Sequence, residues 1–200
     1  ETNERGEPVY GERDHVDLDE IASLGLPFWL AGGTGTPDGL QDALDAGAAG
    51  IQVGTLFAFA NESGLDPILK ARTLHQAVRN QGIDVHTDLR ASPTGFPFKV
   101  VQIEGTNAGK REYEARDRIC DLGYLRTAYR MDNGRVGYRC PAEPVKTWKA
   151  KGGTEEETVG RKCLCNALMA DVGHAQGRDG EVERPLLTSG DELARIHTFL

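Results

Sequence analysis

Residues 27–55 read PFWLAGGTGTPDGLQDALDAGAAGIQVGT, and this stretch predicts a strand, a glycine turn, a helix, a second strand and a second glycine turn. The apolar run from Phe28 to Ala31 has strand length and stops at Gly32-Gly33, which predicts a strand buried on both faces in a parallel sheet. Ile51 to Val53 is a second short apolar run, and it ends at Gly54-Thr55. Two parallel strands joined by a helix form a βαβ unit, and such sheets bind ligands at the carboxyl ends of their strands.

The helix between the two strands has a start signal, a stop signal and an apolar face. Thr36 is a preferred amino-terminal cap, Pro37 suits the first helical position, and Gly47 supplies a stop. One face of this helix is predicted to carry Leu40, Ala43 and Leu44.

The chemistry of the two glycine turns indicates phosphate binding. Glycine lets the backbone approach an anion with successive N–H groups, a threonine hydroxyl adds a donor, and a following helix brings its positive end. The alternative is that the glycines only form tight turns. Two such turns at matching strand ends, about twenty residues apart, favour phosphate binding, as do the phosphate sites after strands seven and eight of eight-stranded α/β barrels.

Residues 30–33 (LAGG) and 45–57 (DAGAAGIQVGTLF) resemble the last two barrel strands of the nitronate monooxygenase family, formerly called 2-nitropropane dioxygenases. The resemblance covers roughly residues 21–63. It implies an FMN cofactor in a (β/α)8 barrel and the oxidation of alkyl nitronates or similar carbanionic substrates with molecular oxygen. It also implies that the flavin phosphate is held by Gly32, Gly33, Gln52, Val53, Gly54 and Thr55.

The catalytic base of that family is a histidine on an earlier barrel loop. No histidine of this sequence lies in a matching motif, so the resemblance assigns no catalytic residue. Fold-level analogy leaves two further phosphate-binding barrels open, the FMN-dependent enoyl reductases and the dehydrogenases acting on inosine monophosphate. A non-catalytic fragment carrying a metal-stapled interaction module is the alternative from another class.

The predicted fold class is α/β, with the last two βα units of an FMN-binding TIM barrel followed by an irregular α+β carboxyl-terminal region. The predicted divisions are residues 1–82 for the barrel part with its phosphate-binding loops, 83–104 for an extended connecting segment, and 105–200 for the cysteine-containing region. Because such a barrel needs about 250 residues, we expect this chain to be the carboxyl-terminal part of a longer polypeptide. A self-contained α/β domain is the alternative.

Several further elements are predicted outside the βαβ unit. Asp66-Pro67 begins a helix that Gly82 ends, Arg111 to Leu122 reads as a helix, and Asn133-Gly134 is a strong hairpin signal. Two more helices are predicted, one ending at Gly173 and one over residues 191–200. The helix after Asp66 is predicted to have an apolar stripe of Ile68, Ala71, Leu74 and Val78.

Composition narrows the classes of partner. The net charge is -8, from 23 basic and 31 acidic residues. Nucleic acid is therefore not an expected partner. No apolar run approaches the roughly 18 residues that a membrane span needs, so we expect a cytoplasmic protein. The expected partners are a small-molecule substrate and molecular oxygen, as the resemblance implies. Homo-oligomerisation is left open.

The four cysteines all lie in the region predicted to follow the barrel, at Cys120, Cys140, Cys163 and Cys165. Four thiolates are the ligand count of a closed zinc or iron–sulfur site. Their spacings contain no Cys-x-x-Cys pair, however, and free buried thiols are common in cytoplasmic proteins. Structural thiols are therefore the favoured interpretation, and no metal ligands are assigned.

Overall fold

The computed structural model describes residues 1–79 and 82–199. Unit 1 consists of Glu1–Asn3, Pro8–Val85 and Ser189–Leu200, whereas unit 2 consists of Glu4–Glu7 and His86–Thr188. The last part of the chain thus belongs to the unit that contains the glycine turns. The sequence-based divisions at residues 82 and 104 stay predictions.

Unit 1 contains the predicted βαβ unit. Strand β1 (Trp29–Ala31) and strand β2 (Gly50–Gln52) are parallel and are joined by helix α2 (Pro37–Asp45). Ala31 pairs with Gln52, so both strands end at the same edge of the sheet. The strand, helix and strand predicted from residues 27–55 are therefore confirmed, while the complete barrel stays a prediction because these two strands form a two-stranded sheet in the part of the chain described.

The two ends of α2 are formed by the residues from which the sequence predicted its start and its end. The Thr36 hydroxyl oxygen accepts a hydrogen bond from the Gly39 N–H at 2.9 Å, and Pro37 occupies the first turn. Gly47 has a φ of +83°, the left-handed conformation that glycine adopts readily after a helix. Of the predicted apolar face, Ala43 is buried while Leu40 and Leu44 are exposed.

The burial predicted for β1 is wrong for this structure. Trp29 is 59% exposed, and Ala31 is also exposed. The reason is that β1 pairs only with β2 among the described residues. A strand is buried on both faces only when helices cover both sides of the sheet.

The other helices described in unit 1 are α1 (Leu18–Ser23), α3 (Thr55–Ala58), α4 (Pro67–Arg79) and two 3-10 helices, at Glu12–Asp14 and at Asp191–Phe199 near the carboxyl terminus. The predicted stripe on α4 is wrong, because Ile68 and Val78 are exposed. The buried face instead carries Leu69, Thr73 and Ala77. This face is selected by packing against the carboxyl-terminal 3-10 helix, which local periodicity does not encode. The predicted end of α4 at Gly82 adjoins residues outside the described part.

Unit 2 is built from short elements that surround an apolar core. Its described strands and helices are β3 (Val85–Asp88, beginning one residue inside unit 1), β4 (Phe98–Val101), α5 (Lys110–Glu114), β5 (Thr127–Arg130), β6 (Val136–Arg139), α6 (Val145–Ala150), a 3-10 helix (Glu156–Thr158), α7 (Leu164–Asp171), β7 (Gly177–Arg178) and β8 (Glu181–Val182). The core buries Ala91, Val100, Ala108, Leu164, Ala167 and Leu186.

Two sequence predictions in unit 2 have different outcomes. The Asn133-Gly134 hairpin is confirmed, because β5 and β6 are antiparallel and Arg130 pairs with Val136 across the turn. The helix predicted over Arg111 to Leu122 is wrong in length, since α5 ends at Glu114. After α5 the chain is no longer helical. The side chains of Arg116 and Arg118 donate to the Glu183 carboxylate and the Thr158 carbonyl in unit 2. No helix in the described residues has the length and apolar character to cross a membrane.

Candidate functional site

The first glycine turn follows β1 directly. Gly32 and Gly33 have φ values of +88° and +83°, which side-chain-bearing residues rarely adopt. A Cβ built on either residue would meet no atom within 4 Å. The turn therefore presents exposed backbone to open space at the carboxyl end of a strand.

The second glycine turn follows β2. Gln52 and Gly54 are exposed, Val53 is half-buried and Thr55 is buried. The space beside Gly54 is also open within 4 Å. The Thr55 hydroxyl oxygen accepts hydrogen bonds from the Gly190 N–H at 3.1 Å and the Ser189 hydroxyl at 3.4 Å. A hydroxyl that accepts twice still carries one hydrogen to donate.

The two turns lie next to each other. A Cβ on Gly35 would be 3.3 Å from Cγ1 of Val53, so the backbone of the first turn packs against a side chain of the second. Gly39 allows α2 to pack closely on the first turn, because a Cβ at this position would be only 2.7 Å from the Thr34 carbonyl oxygen. The predicted site residues thus come together at one edge of the sheet.

A carboxylate from the carboxyl-terminal 3-10 helix also reaches this edge. The Gly35 N–H donates to Oε1 of Glu192 at 2.8 Å, and Glu192 is only 8% exposed. A Cβ on Gly35 would be 2.6 Å from the same oxygen, so this approach requires glycine. One backbone N–H beside the first turn therefore already donates to a carboxylate.

Sequence reasoning missed three residues of this site, namely Gly35, Gly190 and Glu192. Gly35 had a signal, because it is the third glycine of the AGGTG run. Gly190 and Glu192 had none. They lie more than a hundred residues further along the chain, and no local pattern connects them with the turns.

Unit 2 has a cavity of about 650 Å³ with a buried amine in its wall. Lys162 is 6% exposed, and burial lowers the pKa of its amine. Its Nζ donates to the carbonyls of Asn107 at 2.7 Å and Ala108 at 3.3 Å, and it lies 4.5 Å from the centroid of the Tyr113 ring. Two arginines of the wall donate to backbone carbonyls in the same way, Arg90 and Arg118. These cations therefore stabilise the loops of unit 2.

The cysteines of unit 2 are free thiols. Cys140 and Cys163 are buried and pack together with Ala142. Burial raises the pKa of Cys140 to about 11 and also raises that of Cys163. Within residues 1–79 and 82–199, no three His, Cys, Asp or Glu side chains are grouped as metal ligands, so the described structure offers no ligand set for the metal-stapled alternative.

Comparisons with known proteins give a partial likeness to an enzyme. No protein-family model matches the chain, and no solved structure matches it. The chain is 32% identical over 87 residues to (3aS,4S,5R,7aS)-5-hydroxy-7a-methyl-1-oxo-octahydro-1H-indene-4-carboxyl-CoA dehydrogenase of Mycobacterium tuberculosis. The match spans 44% of this chain and 23% of that enzyme. The likeness is therefore to part of an oxidoreductase.

Proposed function

We propose that the chain carries the phosphate-binding part of an FMN-dependent oxidoreductase of the nitronate monooxygenase type. The observation that carries this proposal is the meeting of two glycine turns at the carboxyl ends of two parallel strands. Open αβ sheets bind their ligands at this edge, and barrels with phosphate sites form them from the corresponding loops.

The residues present are of the types that bind a phosphate ester, with backbone N–H groups and a hydroxyl as donors. Gly32 and Gly33 expose backbone in a conformation that lets an anion approach closely. Gly54 leaves the neighbouring space open, and Thr55 retains a hydroxyl hydrogen. We propose that these four residues, with Gln52 and Val53, hold the FMN phosphate.

When bound, FMN would supply electron transfer from a carbanionic or nitronate substrate and reaction with molecular oxygen. The part of the chain proposed here binds and orients the phosphate end of the cofactor. Phosphate contacts position a cofactor without setting the reactivity of its ring. The base that would take a proton from the substrate is not assigned to any histidine of this chain.

A second candidate is an oxidoreductase that acts on a carboxyl-CoA substrate. The observation that favours it is the 32% identity over 87 residues to a dehydrogenase whose name gives such a substrate. We propose the same phosphate site for both candidates, which then differ in the compound that is oxidised.

Titration of the purified chain with FMN and with riboflavin tests the phosphate site. We expect FMN to bind at least about tenfold more tightly than riboflavin, because the two differ only in the phosphate and charge-assisted hydrogen bonds are the strong ones. Equal affinities would contradict the proposal. Preference for a purine mononucleotide over FMN would instead favour the inosine monophosphate type of barrel.

Anaerobic bleaching of the bound flavin separates the two substrate classes. If the first candidate is right, an alkyl nitronate should reduce the bound flavin and thereby bleach its visible absorbance. If the second is right, a carboxyl-CoA thioester should do so. Free FMN with the same compounds and no protein is the control for reduction in solution.

A further inference from the structure

The Glu192 carboxylate lies where the proposed ligand phosphate would compete with it. Oε1 accepts the Gly35 N–H at 2.8 Å and would touch any Cβ at that position. The side chain is largely removed from water. One backbone donor of the first glycine turn is therefore taken by a negative charge that belongs to the protein.

The segment that carries Glu192 is held in place by its own packing. Leu193 and Ile196 of the 3-10 helix are buried, and this helix packs against α3 and α4. Gly190 donates its N–H to Thr55 in the second glycine turn. The residues from 189 to 192 thus contact both turns, so the carboxylate is a fixed part of this edge.

A fixed carboxylate has a direct effect on an anionic ligand. Like charges a few ångströms apart repel strongly in a partly buried site, where water screens them less than at an open surface. The repulsion grows with the charge of the ligand. A phosphate monoester with close to two charges near neutral pH is penalised, whereas an uncharged analogue is not.

We propose that Glu192 is a specificity-determining residue of this site: it competes with the ligand phosphate for the Gly35 N–H and lowers the affinity for dianionic phosphate monoesters. The inference rests on the proposed phosphate-binding function. It assigns to the carboxyl-terminal segment a role that neither the glycine pattern nor the family resemblance contains.

Two substitutions distinguish the effect of the Glu192 charge from the effect of the size of its side chain. Glu192→Gln keeps the size of the side chain and an oxygen acceptor for Gly35 but removes the charge. Glu192→Ala removes both. Glu62→Gln is the matched control, because Glu62 is an exposed acid in a turn of the same unit. Each protein is titrated with FMN and with riboflavin at one ionic strength near neutral pH.

Glu192→Gln is expected to bind FMN about tenfold more tightly than the unchanged chain, with riboflavin affinity altered less than about twofold. The control should match the unchanged chain for both ligands. Circular dichroism and the unfolding midpoint show whether each variant is folded, and the glutamine variant alone suffices if the alanine variant is not.

Two outcomes overturn this inference while leaving the proposed function intact. In one, FMN is preferred over riboflavin but Glu192→Gln shows no gain. In the other, Glu192→Ala weakens FMN binding while Glu192→Gln binds FMN as the unchanged chain does. That result would mean that the Glu192 side chain positions the turn through its hydrogen bond and not through its charge. Absence of FMN preference in the unchanged chain would overturn the phosphate site, and with it both proposals.

Discussion

The backbone N–H of Gly35 donates to Oε1 of Glu192 at 2.8 Å, across a sequence separation of 157 residues. Hydrogen bonds to charged groups contribute about 1.5–3 kcal/mol, more than neutral ones. This bond ties the first glycine turn to the carboxyl-terminal 3-10 helix within unit 1. The stability of the turn therefore depends on the far end of the chain.

Gly35→Ala should destabilise unit 1 by about 1–3 kcal/mol, because its Cβ would lie 2.6 Å from the Glu192 carboxylate and 3.3 Å from Val53. The carboxylate would have to move and lose its donor. Urea unfolding followed by far-ultraviolet circular dichroism measures the cost. In a double-mutant cycle with Glu192→Ala the two costs should not add; full additivity would show that the clash is not with Glu192.

Gly33→Asp and Gly54→Asp should each weaken FMN binding by about tenfold or more, because two charges 4 Å apart repel by roughly 1–4 kcal/mol in water or near a protein surface. Both positions face open space, so the new carboxylate has room to enter the proposed phosphate site. Gly25→Asp is the control for Gly33, since Gly25 also has a positive φ and open surroundings. Gly64→Asp is the control for Gly54. Loss of affinity in the controls as well would point to a general effect on folding.

The βαβ unit could be predicted because its signals are local. Thr36 and Pro37 define the start of α2, Gly47 defines its end, and two apolar runs mark the strands, each within a few residues of the feature it specifies. The buried face of α4 could not be predicted in this way. Ile68 continues the local periodicity, but Leu69 is buried instead, because the helix packs against a segment more than a hundred residues away.

In the candidate site, too, the residues with a local sequence signal could be predicted and those brought in by tertiary packing could not. The glycine turns were visible in the sequence because glycine is required where φ is positive, as at Gly32 and Gly33. Glu192 was not visible, since a glutamate in a polar helix start is ordinary and its partner Gly35 is remote. A carboxylate that comes to a glycine turn through tertiary packing has no sequence pattern of its own.

Glu183→Gln should destabilise unit 2 by about 3–5 kcal/mol. The Glu183 carboxylate accepts hydrogen bonds from Arg116 at 2.6 and 2.7 Å, Arg178 at 3.2 Å and Asn107 at 2.9 Å. Burial alone would raise the pKa of Glu183, but these partners, with Arg116 foremost, bring it below its usual value. Glutamine would leave Arg116 buried without a counter-charge.

The cost of Glu183→Gln is measured by urea unfolding with the fluorescence of Trp148, which is buried in unit 2, in a Trp29→Phe background. Glu181→Gln, an exposed acid two residues away, is the control and should change stability little. Because the folded-state pKa of Glu183 is depressed, its contribution is present above the usual pKa of the carboxyl and is lost as the pH falls. An equal effect of both substitutions would contradict the role of the ion pairs.

Asp171 should make unit 2 less stable as the pH rises toward 7. This residue, at the end of α7, is buried, and burial raises the pKa of its carboxyl from 3.8 to about 7 despite a hydrogen bond from the Leu186 backbone. Between these two values the folded state binds a proton that the unfolded state has released. The contribution is therefore full below the unfolded pKa, is lost as the pH rises through the folded pKa, and amounts to roughly 4 kcal/mol at most.

Asp171→Asn removes this titration while keeping a side chain of the same shape with an oxygen for the Leu186 N–H. The variant should gain stability relative to the unchanged chain as the pH is raised from 5 to 7, with the difference constant above that range. Urea midpoints at several pH values between 5 and 8 measure it, with Asp132→Asn, at an exposed turn position, as the control. Parallel curves for the Asp171 variant and the unchanged chain would mean that this carboxyl titrates alike in the folded and unfolded states, since only a difference in proton binding between those states makes stability depend on pH.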